Sequence, residues 1–382
     1  MSRIARRRAN GVAVGAAAIA WLLSVARAGG QTGPAPKPPM AEEVFKNVQV
    51  LKGIPVDQFM GTMGFFSAAL GMNCTDCHVD ESGGNWAKYA DDNPRKQTAR
   101  RMMLMVSAIN RTNFGGRQVV TCNTCHRGTN RPNVMPSLAL LYGTPPPDEP
   151  GEPFPQAPGQ PPADRILDKY LQALGGAQRL AAITSLAAKG TYKGFDDADT
   201  SAVEIFAKAP GQRATIIHTL SGDSTTIYDG RAGWIAAPET EKPVPLLAIT
   251  GQELDGVKLE AELLFPATIR QALGKWRVGP PATIGDREVR TVQGTTAGGG
   301  TATLCFDSES GLLVRLVRFT ESPVGRIVTQ IDYADYREVS GVKMPFRWTV
   351  SWLDGRSTFE LSEVRPNAPI DRAKFATPAV RR

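Results

Sequence analysis

Two short motifs limit what this chain can become. "CTDCH" runs from Cys74 to His78, and "CNTCH" from Cys122 to His126. Together they use four of the chain's five cysteines and two of its three histidines. Whatever engages these thiols dictates the local fold, because committed ligands couple binding to folding.

Four chemistries compete. Four thiolates can build a zinc tetrahedron, but the two pairs of a zinc ribbon usually stand ~15–20 residues apart. Here Cys77 and Cys122 are 45 apart, and zinc leaves the trailing histidines unexplained. A redox-active CxxC wants a thioredoxin-like βαβ setting, which does not flank either pair. A disulfide within CxxC closes so small a loop that it restrains little of the unfolded chain. Haem accounts for every part. The two thiols add to the two vinyl groups of one porphyrin, and the two residues between them let one backbone turn reach both. The adjacent histidine is then held beneath the iron. The expectation is two covalent haem c groups, one on Cys74 and Cys77 with His78, the other on Cys122 and Cys125 with His126.

The N-terminus agrees, since haem of this kind is attached after export. Residues 1–28 combine an arginine-rich start, the apolar run "GVAVGAAAIAWLLSVA" and the small-residue site "ARA", the pattern of a secretory signal peptide. An uncleaved anchor is the alternative; the run is shorter than the ~20 residues that span a bilayer. No cysteine near the cleavage site offers a lipid attachment point. The formal charge of +7 resides mostly in this leader, which holds five arginines and no acid; without it 39 basic face 37 acidic residues. A chain so nearly neutral gives no electrostatic case for nucleic acid. The expected place is the periplasm, or another exported location, free or associated with the inner membrane.

Composition divides the rest. Residues 29–40 form a flexible Pro/Gly-rich lead, and residues 41–142 a compact, mainly helical domain holding both CxxCH units. Residues 143–164, "GTPPPDEPGEPFPQAPGQPPAD", carry too much proline for helix or strand and read as an extended, semi-rigid linker. Residues 165–382 open with "DRILDKYLQALGG", which puts Ile166, Leu167, Tyr170, Leu171 and Leu174 on one helical face before two glycines. Strand patterns follow. In "FRWTVSW" Phe346, Trp348, Val350 and Trp352 share one face, and "STFEL" alternates likewise with Phe359 and Leu361. Turns such as "YDGRAG" and "LDGRS" separate the strands, and one helical stretch near 252–273 interrupts them. The fold class expected is two domains: a mainly α dihaem c-type cytochrome domain, then a β-rich α+β domain whose antiparallel sheet packs helices on one face.

The haem segment contains an internal repeat. "MGFFSAAL" from Met63 precedes the first CxxCH and "MMLMVSAI" from Met102 the second. Aligning them pairs Met63 with Met102, Phe66 with Met105 and Leu70 with Ile109, one apolar stripe on a helix. The second unit has a longer connection, "NRTNFGGRQVV". Methionine opposite histidine is typical of electron-transfer haem, whereas an open iron suits catalysis. The paired positions favour Met63 and Met102 as axial ligands over core methionines. Met105 is the main alternative in the second unit, with Met103 and Met135 behind it; Met60 and Met72 are the alternatives in the first.

The run "VFKNVQVLKGIPVDQFMGTMGFF…LGMNCTDCH" followed by "TARRMMLMVSAIN…VTCNTCHRG" resembles the cytochrome c subunit of photosynthetic reaction centres. In that family each repeat is a helix bearing the axial methionine, a turn, and a helix with CxxCH. The family's methionines fall on Met63 and Met102, and its covalent and proximal residues on Cys74, Cys77, His78, Cys122, Cys125 and His126. The resemblance covers residues 44–132. It implies haem binding and electron transfer with redox protein partners, including a membrane electron-transfer complex. The chain departs from the family in having two CxxCH units where four are general. The C-terminal segment, with "YLQALGG" and "VSGVKMPFRWTVSWLDGRSTFELSEV", is more weakly similar to the envelope lipoprotein-carrier family. That likeness implies a curved, unclosed half-barrel around an apolar cavity, lined by Phe346, Trp348, Trp352 and Phe359, for an apolar ligand.

Three functions follow for comparison: an exported dihaem electron carrier, a dihaem peroxidase-like enzyme, and an apolar-ligand or lipoprotein-binding module with an attached cytochrome. The enzyme is disfavoured because only His218 remains after the proximal histidines are spent, and it lies in a strand pattern as a structural residue. Cys305, in "TATLCFD", reads as a small buried strand residue.

Overall fold

The computed structural model describes residues 37–78, 86–143, 153–195, 197–238 and 244–378. The expected signal peptide at residues 1–28, most of the lead and residues 144–152 of the proline-rich segment fall outside them.

Caps and glycines decide where the first helices begin and stop. α1 (Ala41–Val44) is a single turn. α2 (Val56–Leu70) follows Pro55 and ends at Gly71, whose φ of 61° is left-handed, a conformation glycine adopts without strain. α3 (Cys74–Cys77) is one turn. α4 (Pro94–Phe114) starts behind Asn93, whose side chain accepts from the Lys96 N–H, and ends at left-handed Gly115. α5 (Cys122–His126) and α6 (Leu138–Tyr142) complete the helical part. The connection expected over "NRTNFGGRQVV" is shorter than the composition suggests, because Asn110–Phe114 continue α4. Asn110 then closes what remains, donating to the Val120 carbonyl at 2.7 Å and accepting its N–H at 3.0 Å.

Beyond the proline-rich segment come α7 (Ala163–Ala173) and α8 (Ala177–Ala181). The five apolar residues expected on one face of α7 are all buried. Six strands follow: β1 (Ser185–Gly194), β2 (Ser201–Lys208), β3 (Gln212–Thr219), β4 (Gly222–Tyr228), β5 (Gly233–Ala236) and β6 (Leu246–Ile249). The helical interruption is α9 (Gly251–Glu262) and α10 (Ile269–Ala272). Eight more strands end the chain: β7 (Gly274–Val278), β8 (Ala282–Ile284), β9 (Arg287–Thr295), β10 (Thr301–Asp307), β11 (Leu313–Ser322), β12 (Gly325–Val339), β13 (Val342–Trp352) and β14 (Gly355–Pro366).

These strands make one antiparallel sheet in the order β6-β5-β4-β3-β2-β1-β14-β13-β12-β11-β10-β9-β7, with β8 also on β9. The two edges, β6 and β7, are joined in sequence by α9 and α10, so the helices cross from one edge of the curved, unclosed sheet to the other. Alternation sorts the faces. Val203, Ile205 and Ala207 of β2 join the main core with α7, α8 and α9, whereas Phe206 packs on the opposite face with Ala214, Trp234 and Phe375. Trp348 and Phe359 stack with ring centroids 5.1 Å apart inside the main core. Trp352 does not join them. It is 40% exposed at the end of β13, where its indole covers the site a side chain on Gly355 would need.

Residues 153–162 form neither helix nor strand, as the proline content predicts, yet they are not a free spacer. The Ala157 N–H donates to the Val278 carbonyl at 2.8 Å, and the Val278 N–H donates to Gln156 at 2.8 Å. Phe154 lies against Gly279. The segment thereby covers the outer edge of β7, whose backbone would otherwise invite pairing. Pro38–Arg382 form one compact unit. None of the described helices is long and apolar enough to cross a membrane.

Candidate functional site

Each CxxCH is a one-turn helix with its own cap. Asn73 Oδ1 accepts the Asp76 N–H at 3.0 Å, and Asp76 returns a carboxylate to the Asn73 N–H at 2.9 Å. In the second unit the Thr121 N–H donates to the Thr124 hydroxyl at 3.0 Å. The capping partner is therefore the second residue between the cysteines in both motifs. That explains how so short a stretch holds its turn, and the turn brings the two thiols of each pair to one side.

The histidines share a second feature. His78 Nδ1 lies 3.0 Å from the Tyr89 carbonyl and His126 Nδ1 lies 3.0 Å from the Thr129 carbonyl. A carbonyl only accepts, so Nδ1 carries the proton and Nε2 keeps its lone pair. This is the tautomer a metal-bound imidazole needs, with its far nitrogen oriented by a backbone oxygen. Burial, helped by the Lys96 ammonium, pushes His78 below the usual histidine range, against the Tyr89 bond, so the ring stays neutral. The Tyr89 ring lies 4.4 Å from the His78 ring.

The helix presenting Met63 is anchored by its other side. A side chain on Gly61 would meet Ile327 of β12, and one on Gly64 would meet Asp354 in the β13–β14 turn. Phe65 packs beside Val324 and Ala69. With 3.6 residues per turn, Met63 lies about 160° round the helix from both Gly61 and Phe65. The docked face is thus the sheet side, and half-buried Met63 shares the opposite stripe with Phe66 and Leu70. Met102 and Met105 are exposed on α4, 36% and 44%, while Met103 packs into the junction core. The two CxxCH units meet at a close approach: the Gly128 N–H donates to the Ala69 carbonyl at 2.9 Å.

The donor chemistry fits haem c better than the rivals. Among the described residues no three His, Cys, Asp or Glu side chains gather as a metal site, so the two cysteine pairs do not converge on one zinc. Burial raises the Cys77 and Cys122 thiols above their usual value, the reverse of an activated redox thiolate. His78 and His126 can bind iron, and the four cysteines can carry the porphyrin thioethers. His218 sits apart on β3, 2.7 Å from Asp223 and 3.7 Å from Glu204. Cys305 is buried on β10, its thiol pushed up to about 11 by burial.

Two features had no signal in the sequence pattern. Asp57 of α2 accepts from the Thr250 N–H at 2.6 Å and from its hydroxyl at 2.8 Å, which ties the Met63 helix to the residue capping α9. Behind α9, Arg318 makes paired bonds to Glu253 at 2.7 and 2.8 Å and reaches Glu260 at 3.1 Å, while Arg213 donates to Glu260 at 3.2 Å. Gly256 of α9 lies directly over the Arg318 guanidinium, leaving no room for a side chain. Beside this cluster, α7, α8 and the end of α9 roof an apolar cavity of about 100 Å³. Trp348 lines it; Phe346, Phe359 and Trp352 do not.

Residues 26–138 match the family described as photosynthetic reaction centre cytochrome C subunit. The reaction center cytochrome c subunit of Thermochromatium tepidum is 39% identical over 107 residues, covering 27% of this chain and 24% of that protein. The subunit of Roseobacter denitrificans is 32% identical over 104 residues, covering 25% and 27%. The chain thus spans about a quarter of the length of these relatives. Among solved structures, a LolA superfamily protein from Nitrosomonas europaea is similar at 15% identity and a TM-score of 0.40, covering 57% of this chain and 98% of its own. A DUF1329 family protein from Desulfovibrio piger is similar at 10% identity and a TM-score of 0.39, covering 57% and 98%. The helical segment with its two CxxCH units is therefore related to the cytochrome c subunit of photosynthetic reaction centres, and the β-rich remainder lies outside that match.

Proposed function

We propose that this chain is an exported c-type cytochrome carrying two covalent haems, which passes electrons between redox proteins of the cell envelope. The observation that carries the reading is the duplicated histidine: in both CxxCH units Nδ1 is held by a backbone carbonyl and Nε2 is left as the ligand. When bound, haem iron supplies a one-electron couple whose potential is raised by a methionine opposite the histidine. Cys74, Cys77, Cys122 and Cys125 would hold the porphyrins, and His78, His126, Met63 and Met102 would supply the protein's ligands to iron. The docked face of α2 keeps Met63 aimed away from the sheet. A reaction centre or another membrane complex is the class of partner the relatives suggest.

Spectra of Met63→Leu and Met102→Leu in the full chain test the assignment. Each should turn one haem high-spin and leave its partner low-spin. Two unchanged haems in both variants would remove the methionines, and Met105→Leu would then be the next assignment to examine. Haem staining that survives loss of all four motif cysteines would remove covalent attachment.

A second reading concerns the β domain alone. Its roofed, apolar cavity supports a role as a site for an apolar ligand, alongside electron transfer.

A further inference from the structure

The cavity beside α9 is not uniformly apolar. Tyr170, Tyr333 and Tyr336 all line it, with Trp348. The Tyr336 hydroxyl donates to the Leu313 carbonyl at 2.7 Å. Tyr170 and Tyr333 make no hydrogen bond among the described residues, although Tyr170 is 4% exposed. Neither hydroxyl is among the fully enclosed, unpaired atoms of the described residues, which are Glu262 Oε2 and Thr291 Oγ1, so both face accessible space in the cavity, where a phenol normally takes a partner. The charged groups nearby cannot supply it. Arg213, Glu260 and Lys343 also line the cavity; Arg213 and Glu260 are engaged with each other, and Glu260 with Arg318 as well, while the Lys343 ammonium has no acceptor to offer a phenol. Burial raises both free phenols above the usual tyrosine range, so they remain donors at any ordinary pH.

Two uncommitted donors in a wall that is mostly aromatic and aliphatic, with Arg213, Glu260 and Lys343 as its charged members, specify a ligand's chemistry. It must be apolar enough to enter and must bring an acceptor. The volume of about 100 Å³ is below the roughly 150 Å³ of an apolar cavity that takes benzene, so no more than a single ring enters, and it does so by parting the walls slightly. We propose that this cavity binds a ring-sized apolar carbonyl compound, its oxygen accepting from Tyr170 and Tyr333. This rests on the apolar-ligand reading of the β domain and sharpens it. A quinone ring and an aromatic ketone present the same carbonyl.

Calorimetric titration of the full, haem-loaded chain with four probes separates the outcomes. Acetophenone and ethylbenzene have similar shape and differ in the carbonyl; tetramethyl-1,4-benzoquinone and dodecanoate represent a quinone ring and an acyl chain. Acetophenone should bind about tenfold tighter than ethylbenzene. Tyr170→Phe and Tyr333→Phe should each erase most of that ratio while leaving the thermal midpoint and ethylbenzene binding unchanged. Tighter binding of the quinone than of acetophenone assigns the quinone source; the reverse assigns the ketone. Equal binding of acetophenone and ethylbenzene, or of dodecanoate alone, overturns the carbonyl inference and keeps the apolar site. A ratio untouched by both Tyr→Phe changes also overturns it. Binding of no probe overturns both.

Discussion

Replacing Arg318 with methionine would expose the energetics of the roof over the cavity. Its side chain is 8% exposed and is held by three charge-assisted hydrogen bonds to Glu253 and Glu260. Methionine keeps much of the volume but leaves two carboxylates facing each other behind α9 with only Arg213 to answer them. Removing one partner of a buried ion cluster costs about 3–5 kcal/mol, or roughly 6–20 °C in thermal midpoint for a domain of this size. Acidity separates this cause from a packing defect. Burial alone would raise the Glu253 carboxyl, but Arg318 and Thr320 hold it below the usual value. In the native protein its contribution is therefore present above the unfolded carboxylate pKa and is lost as pH falls through the lower folded one. In Arg318→Met the Glu253 carboxyl keeps its burial and loses Arg318, so it is raised and stability increases as pH falls from 7 towards 5. Adding Glu253→Gln and Glu260→Gln should recover most of the loss. Urea unfolding followed by near-ultraviolet dichroism at pH 5 and 7 reads all of this. A loss under about 1 kcal/mol, or a loss equal at both pH values, would refute the reasoning.

Other variants test how the haem helices are held. Gly71→Ala forces a side chain into a left-handed position and to within 2.2 Å of the Gly128 carbonyl oxygen, so the yield of doubly haem-loaded protein should fall sharply by mass spectrometry. Gly325→Ala places its methyl 2.4 Å from Phe65; the α2–α5 segment should become cleavable by trypsin while the sheet stays intact. Asp57→Ala removes the acceptor for both Thr250 groups and should cost about 1–3 kcal/mol in urea unfolding. Burial raises the Asp57 carboxyl despite the Thr250 bonds, so its share of stability grows as pH falls and shrinks as pH rises through the folded pKa. Asp57→Asn, which keeps an oxygen acceptor without the charge, should be tolerated and should flatten that pH dependence.

The parts legible in the sequence were those written in local pattern. CxxCH, the Met63 and Met102 helices, the amphipathic face of α7 and the strand alternation around Trp348 each depend on residues near one another in sequence. What escaped depends on distant partners. Trp352 obeys the same alternation as Trp348, yet it sits where β13 runs out of core and turns. Gly61, Gly64 and Gly256 look like flaws in helices until Ile327, Asp354 and Arg318 are brought against them. The proline-rich segment reads as a spacer because its contacts, with Val278 and Gln293, are made far along the chain. Arg318 and Glu253 are ordinary surface residues by type, and only the fold encloses them.

The sheet's strand order also sets a timetable. β1 pairs with β14, from Leu186 opposite Pro366 to Gly194 opposite Ser357, so the earliest strand waits for the last one made. Long-range pairing of this kind is slow to form. The helical segment precedes it, and the caps of both CxxCH turns are local. During synthesis or export from the N-terminus, both cysteine pairs emerge before the sheet that seats α2 can exist. Gly61, Gly64 and Phe65 then lack the Ile327, Asp354 and Val324 they meet in the folded chain. The β11–β12 hairpin and the β13–β14 turn, made after the helices, are what then seat the Met63 helix. A chain stalled before β11 should carry both CxxCH turns and lack most of the seat of α2, an intermediate written into the order of the strands.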